Sequence, residues 1–250
     1  MEATLILKKL LLKWYFDNGV KFSLNNLKRK KDFETDRNLK TITCSNSNKT
    51  YPDNSNDILN NCNSLKELED LIKNSVECGL KITAKNTVFS DGNSEAKVML
   101  LGEAPGEEED RKGKPFVGQA GILLDKMLGA IGQDRKNTYI SNIIFWRPPG
   151  NRKPTEEEIS ICLPYVFKHI ELIKPKILIL AGATASKALY GIEAGITQIR
   201  GNWKNIAMKD GHNLKTMAIF HPAFLLRQPA RKKEAWEDLK KIKIEINKHT

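Results

Sequence analysis

Four residues of this chain carry groups that could act together on a bound molecule: the Glu103 carboxylate, the Phe116 ring, the Asn142 amide and the His221 imidazole. A carboxylate and an imidazole orient or move protons, an amide offers a donor and an acceptor, and an aromatic ring offers a stacking face. Each has an ordinary reading alone, since single Phe, Asn and His residues usually serve cores, caps and structural contacts. Their shared placement reverses that reading, because all four fall at or beyond the C-terminal ends of predicted strands. The run Val98-Met99-Leu100-Leu101 leads straight into Gly102-Glu103-Ala104-Pro105-Gly106 and then into Glu107-Glu108-Glu109-Asp110. A charged, glycine-punctuated loop between two core elements is a poor packing device and a good binding one.

The elements that must position these groups alternate from Lys97 onward. Strands are predicted over 97–103, 138–144, 176–182 and 216–221, and helices over 119–131, 155–173, 183–190 and 230–247. That rhythm implies an α/β fold of three layers, α/β/α, with a central, mainly parallel four-stranded sheet. Loops at the carboxyl ends of such strands converge, which brings 102–116, 142–152, 182–185 and 221–227 to one edge. Pro154 before Thr155, with Glu157 and Glu158 in the first turn, marks the start of the helix at 155. Ser64 is a plausible N-cap for a helix carrying Leu65, Leu68, Leu71 and Ile72.

Upstream, residues 3–18 read as an amphipathic helix, and 23–63 as a flexible Asn/Ser/Lys-rich linker whose Lys28-Arg29-Lys30-Lys31 run reads as solvated charge. The chain thus divides into an N-terminal segment, 1–63, and a main domain, 64–250. Its 250 residues carry a formal net charge of +11, with a pI of about 9.4. Such charge favours an anionic partner, nucleic acid among them, although a Lys/Asn/Ile-rich composition produces the same value. Cys44, Cys62, Cys78 and Cys162 form no CxxC pair, which argues against a disulfide framework and fits a reducing, cytoplasmic setting. No stretch approaches the ~20 apolar residues of a spanning helix, so no membrane association is expected. A phosphate-loop role for GEAPG is disfavoured, since no G-K-[ST] follows and four acids do.

The ordered segments GEAPG, PFVGQAG, NIIFWRPPGNRKP and HPAFLLRQP resemble those of family 4 uracil-DNA glycosylases over about residues 64–247. Leu11 to Phe16 also resemble an extension carried by some longer members. The resemblance implies an enzyme that flips uracil from DNA and hydrolyses its N-glycosidic bond, beginning base excision repair. It implies a uracil pocket of Gly102, Glu103, Ala104, Pro105, Gly106, Phe116, Asn142 and His221. Phe116 would stack on the base, Asn142 would pair with uracil N3–H and O4, and His221 would donate to O2 as negative charge develops. Glu103, or alternatively Glu109, would orient water or steady the sugar cation. Ala104 stands where family 1 has an aspartate, and Gly106 where it has a tyrosine.

Leu225, Leu226 and Arg227 resemble the loop that fills the gap left by a flipped base, and Arg147 and Arg152, with Lys153, Arg231, Lys232 and Lys233, are candidate phosphate contacts. The expected partner is uracil-containing DNA, with base excision repair proteins as neighbours and a monomeric state. Alternatives are a glycosylase of altered base specificity and a non-catalytic DNA-binding homologue. Many family members hold a [4Fe–4S] cluster through four cysteines. Cys78 and Cys162 match the second and fourth, but Ser75 and Trp146 occupy the first and third. We therefore expect the cluster to be absent, with Trp146 filling its space and no cofactor needed for chemistry. The rival expectation is that Cys44 or Cys62 folds back to complete the set.

Overall fold

A computed structural model describes residues 57–249. The expected helix over 3–18, the basic run at 28–31 and Cys44 lie outside them. Six strands, β1 (Asp91–Gly92), β2 (Val98–Gly102), β3 (Thr138–Asn142), β4 (Ile177–Ala181), β5 (Trp203–Ala207) and β6 (Asn213–Ile219), form one sheet in the order β1-β3-β2-β4-β6-β5. The helices are α1 (Asp57–Asn60), α2 (Leu65–Ser75), α3 (Leu80–Thr83), α4 (Glu107–Lys112), α5 (Gln119–Ala130), α6 (Glu156–Ile173), α7 (Ala183–Tyr190), α8 (Ile196–Ile199), α9 (Pro222–Arg227) and α10 (Lys232–Ile246).

The central strands β3, β2, β4 and β6 are parallel, as the alternating pattern requires, but the sheet is wider than four strands. β1 and β5 add antiparallel edges. β1 is two residues long and leaves no periodic trace, while β5 alternates half-buried and exposed positions as edge strands do. Pairing with β5 also starts β6 at Asn213, ahead of the predicted 216.

Every residue of β2, β3 and β4 is buried, the signature of strands covered on both faces. Met99, Leu101, Tyr139, Leu178 and Leu180 join Leu68 and Ile72 of α2 and Val166 and Ile170 of α6 in one cluster. The alternate residues Val98, Leu100, Ile177 and Ile179 are equally buried and point to the opposite face of the sheet. Leu59 and Cys62 also belong to the first cluster, so packed structure begins ahead of Ser64, inside the stretch read as linker. Ser64 caps α2 as expected, its Oγ accepting from Glu67 N–H, while the helix expected from 155 starts one residue later, with Thr155 as its N-cap in a reciprocal capping box with Glu158. Among the described residues, no helix is long and apolar enough to cross a membrane.

Candidate active site

The register that pairs Gly102 with Asn142 ends β2 and β3 at one level, and their loops stay tied beyond it through Ile143 N–H to Gly102 O and Ile144 N–H to Glu103 O, both 3.0 Å. Above this edge lies a cavity of about 650 Å³, lined by Glu103, Ala104, Pro105, Gly106, Glu109, Phe116, Asn142 and His221, with Arg152, Lys153 and Arg227 on its rim. Gly102 lies beneath it. A Cβ there would meet Asn142 Oδ1 at 2.4 Å and Phe116 Cζ at 2.5 Å. The amide and the ring therefore converge on a backbone position that leaves no room for a side chain, and both line the cavity.

Phe116 holds φ 54°, a left-handed conformation that costs a non-glycine residue about 1–2 kcal/mol. Arg135, which the sequence did not single out, stabilises it: the guanidinium donates to the carbonyls of Pro115 (3.2 Å) and Phe116 (2.5 Å) and pairs with Asp91 (2.7 Å) and Asp125 (2.9 Å). The Phe116 ring is stacked near the His221 ring, with centroids 5.6 Å apart.

His221 is the N-cap of α9, and its Nδ1 accepts from Ala223 N–H at 3.1 Å. That bond assigns the proton of the neutral ring to Nε2, leaving a donor for the cavity. Burial, and secondarily the Arg227 charge, pulls the imidazole down to about 4 against a weaker opposing effect of Glu109. The ring is accordingly neutral at physiological pH.

The two candidate carboxylates differ in what they touch. Glu109 accepts from Val117 N–H and Gly118 N–H, each at 2.8 Å, and from Gly106 N–H at 3.2 Å. It fastens the GEAPG loop to the PFVG loop. Glu103 lies half-buried in the cavity wall and accepts one hydrogen bond, from Thr184 Oγ1 at 2.5 Å. Gly182 and Thr184 lie on the turn after β4, within the 182–185 loop that the sequence brings to this edge, but neither drew a role because small turn residues leave no distinctive signal.

Of the expected DNA contacts, Leu225 must be corrected. It is 0% exposed and packs inward, whereas Leu226 is 42% exposed, since successive residues of a helical turn face different ways. Arg227 is exposed at the cavity rim. Arg152 is bound bidentately by Glu158 at 2.6 and 2.9 Å, and Arg147 reaches Asn151 at 2.7 Å and Glu107 at 3.7 Å. Lys232 is buried.

Cys78 and Cys162 are buried neighbours: the hydrogen bond with Cys162 draws the Cys78 thiol down to about 7, while that bond and burial push Cys162 up. Cys62 instead donates to Ser64 O at 3.5 Å, with Glu67, Lys168 and Glu171 as its charged neighbours. Trp146 is 1% exposed, with Nε1 donating to Thr87 Oγ1 at 3.0 Å and its ring edge-on to Phe145. Among the described residues, no three His, Cys, Asp or Glu side chains are placed to hold a metal ion. Two thiols and a packed indole do not fit a four-iron cluster, which takes four thiolates.

Residues 89–240 match the family model of the uracil DNA glycosylase superfamily. The chain is 36% identical to the type-4 uracil-DNA glycosylase of Archaeoglobus fulgidus, over 71% of this chain and 92% of that protein. It is 38% identical to the type-4 enzyme of Pyrobaculum aerophilum (70% and 91% covered) and 38% identical to that of Thermotoga maritima (72% and 94%). Motifs, fold and relatives agree: the chain belongs to the uracil-DNA glycosylase superfamily, in its type-4 branch.

Proposed function

We propose that this enzyme flips uracil out of DNA and hydrolyses the bond between uracil N1 and the deoxyribose C1′, leaving an abasic site from which base excision repair proceeds. The observation that carries this reading is the convergence of Asn142 and Phe116 on Gly102 at a cavity that a neutral His221, its Nδ1 occupied and its proton on Nε2, also lines. A flat base entering this cavity would stack on the Phe116 ring. The Asn142 amide matches uracil N3–H and O4 in hydrogen-bond sense and opposes the pattern of cytosine.

The bonding electrons leave with N1, negative charge spreads onto O2, and His221 Nε2–H stabilises it, while C1′ becomes an oxocarbenium ion. Water oxygen then bonds to C1′, its released proton passing by way of Glu103 to solvent, and the uracil anion takes up a proton from solvent. Glu103 is the water-orienting carboxylate. Glu109 serves by holding the two pocket loops, since three backbone N–H groups already occupy its oxygens. Leu226 fills the gap in the stack, and Arg227 and Lys153 take phosphates.

The test is cleavage of an oligonucleotide containing one uracil, followed by alkali, for wild type, His221→Ala and Asn142→Ala. Wild type should cut at uracil, and each variant should lose about 10²–10³-fold in rate, the scale of a lost charge-stabilising donor. Uracil left intact in DNA that is still bound would establish a binding module instead.

A further inference from the structure

We propose that Thr184 is a positioning residue for the hydrolytic step, fixing one oxygen of Glu103 so that the other is presented to the attacking water. The inference rests on the glycosylase reading above and adds to it a residue that no part of that reading required.

Thr184 is the second residue of α7, immediately after β4, and reaches across the cavity wall to a loop 81 positions away in sequence. Its hydroxyl donates to Glu103 Oε2 at 2.5 Å, and among the described residues this is the only hydrogen bond to that carboxylate. A glutamate side chain has three rotatable bonds, and a single charge-assisted hydrogen bond selects one arrangement among many. Both residues line the cavity, and the second oxygen, which accepts no hydrogen bond among the described residues, is left to take one from water there.

The turn that carries Thr184 is itself fixed. Gly182 has φ +100°, a conformation other residues rarely adopt, and its N–H donates to Ile219 O at 2.9 Å. A Cβ on Gly182 would come within 3.0 Å of the His221 Cβ. One short turn thus backs the imidazole that stabilises the leaving base and clamps the carboxylate that directs water at the sugar. The distance between the two catalytic groups is set by a common support.

Thr184→Val keeps the shape and removes the donor, and Thr184→Ser keeps the donor, which separates positioning from packing. Single-turnover excision of uracil from a defined oligonucleotide should fall about tenfold in Thr184→Val, the scale of one hydrogen bond to a charged group. Thr184→Ser should stay within about threefold of wild type, and the Kd for uracil-containing DNA should be unchanged in both. In a Glu103→Ala background, Thr184→Val should cost nothing further, because its only target is gone. Melting temperatures establish that each variant is folded, with Thr184→Ala as the second donor-less variant if valine disturbs the turn. Wild-type rate in the donor-less variants would overturn the proposal. So would a serine variant as slow as valine, or an equal loss in the Glu103→Ala background. A wild-type protein that leaves uracil in place would overturn the glycosylase reading and this proposal together, an outcome distinct from those.

Discussion

Replacing Gly102 with alanine should abolish most activity while leaving the fold in place. Gly102 ends a fully buried strand without a positive φ, so its backbone accommodates alanine and the whole cost is steric. The new methyl would stand 2.4 Å from Asn142 Oδ1 and 2.5 and 2.7 Å from two carbons of the Phe116 ring, where about 3.5–4.0 Å is normal. Neither neighbour can retreat easily. Asn142 is locked in β3 at 2% exposure, and the Phe116 carbonyl is held by Arg135. Overpacking of this kind costs about 1–3 kcal/mol, a melting shift of no more than roughly 10 °C for a domain of this size. The effect on catalysis is larger, because both groups proposed to hold the base would be displaced by about 1 Å, a misplacement worth on the order of 10²-fold in rate. Single-turnover excision from a uracil oligonucleotide, with melting curves alongside, measures both. Gly129→Ala is the control, since a Cβ there meets nothing within 4 Å. Near-normal excision by Gly102→Ala would refute the argument that Asn142 and Phe116 must both press against this backbone.

Three further outcomes are expected. Leu226→Ala should slow excision from duplex DNA about tenfold and from single strands less than about twofold, because only a duplex leaves a gap to fill; Leu225→Ala should instead lower stability by about 2–5 kcal/mol, and equal behaviour of the two would contradict their assigned positions. Burial holds His169 down to about 3 and His221 down to about 4, so the unfolded chain takes up protons first on acidification. The stability these two neutral rings contribute is complete above pH ~6.5 and is lost as pH falls toward 4 and 3. Melting curves should show that decline, weakened in His169→Phe, and stability that is flat over this range would refute it. Protein purified anaerobically should contain no stoichiometric iron and no visible iron–sulfur absorption, whereas Ser75→Cys with Trp146→Cys should gain both on reconstitution; about four irons per wild-type chain would show that the thiol set is completed by other means.

Much of this architecture was legible because β2 and β4 are unbroken apolar runs alternating with helical segments, and because Ser64 and the Pro154 to Glu158 stretch mark helix starts. Asp91-Gly92 and the half-exposed β5 were not, since strand pairing at an edge is decided by a neighbour rather than by local pattern. In the site, Glu103, Asn142 and His221 stood out by lying at strand ends. Arg135 and Thr184 did not, because each acts by reaching a distant loop, and nothing in the flanking residues marks such a reach. The two leucines at 225 and 226 were inseparable until the helical turn assigned one to the core and the other to solvent.

The pairing of Arg152 with Glu158, and of Arg147 with Glu107, changes how the positive charge of this protein would be felt by DNA. A phosphate that recruits either arginine must first displace a carboxylate, and Glu158 also caps α6 through Thr155. Such an exchange releases fewer condensed counterions than a contact made by an unpaired cation. The slope of log K against log salt should therefore report chiefly on Arg227 and Lys153 and fall well short of a count of basic residues around the cavity.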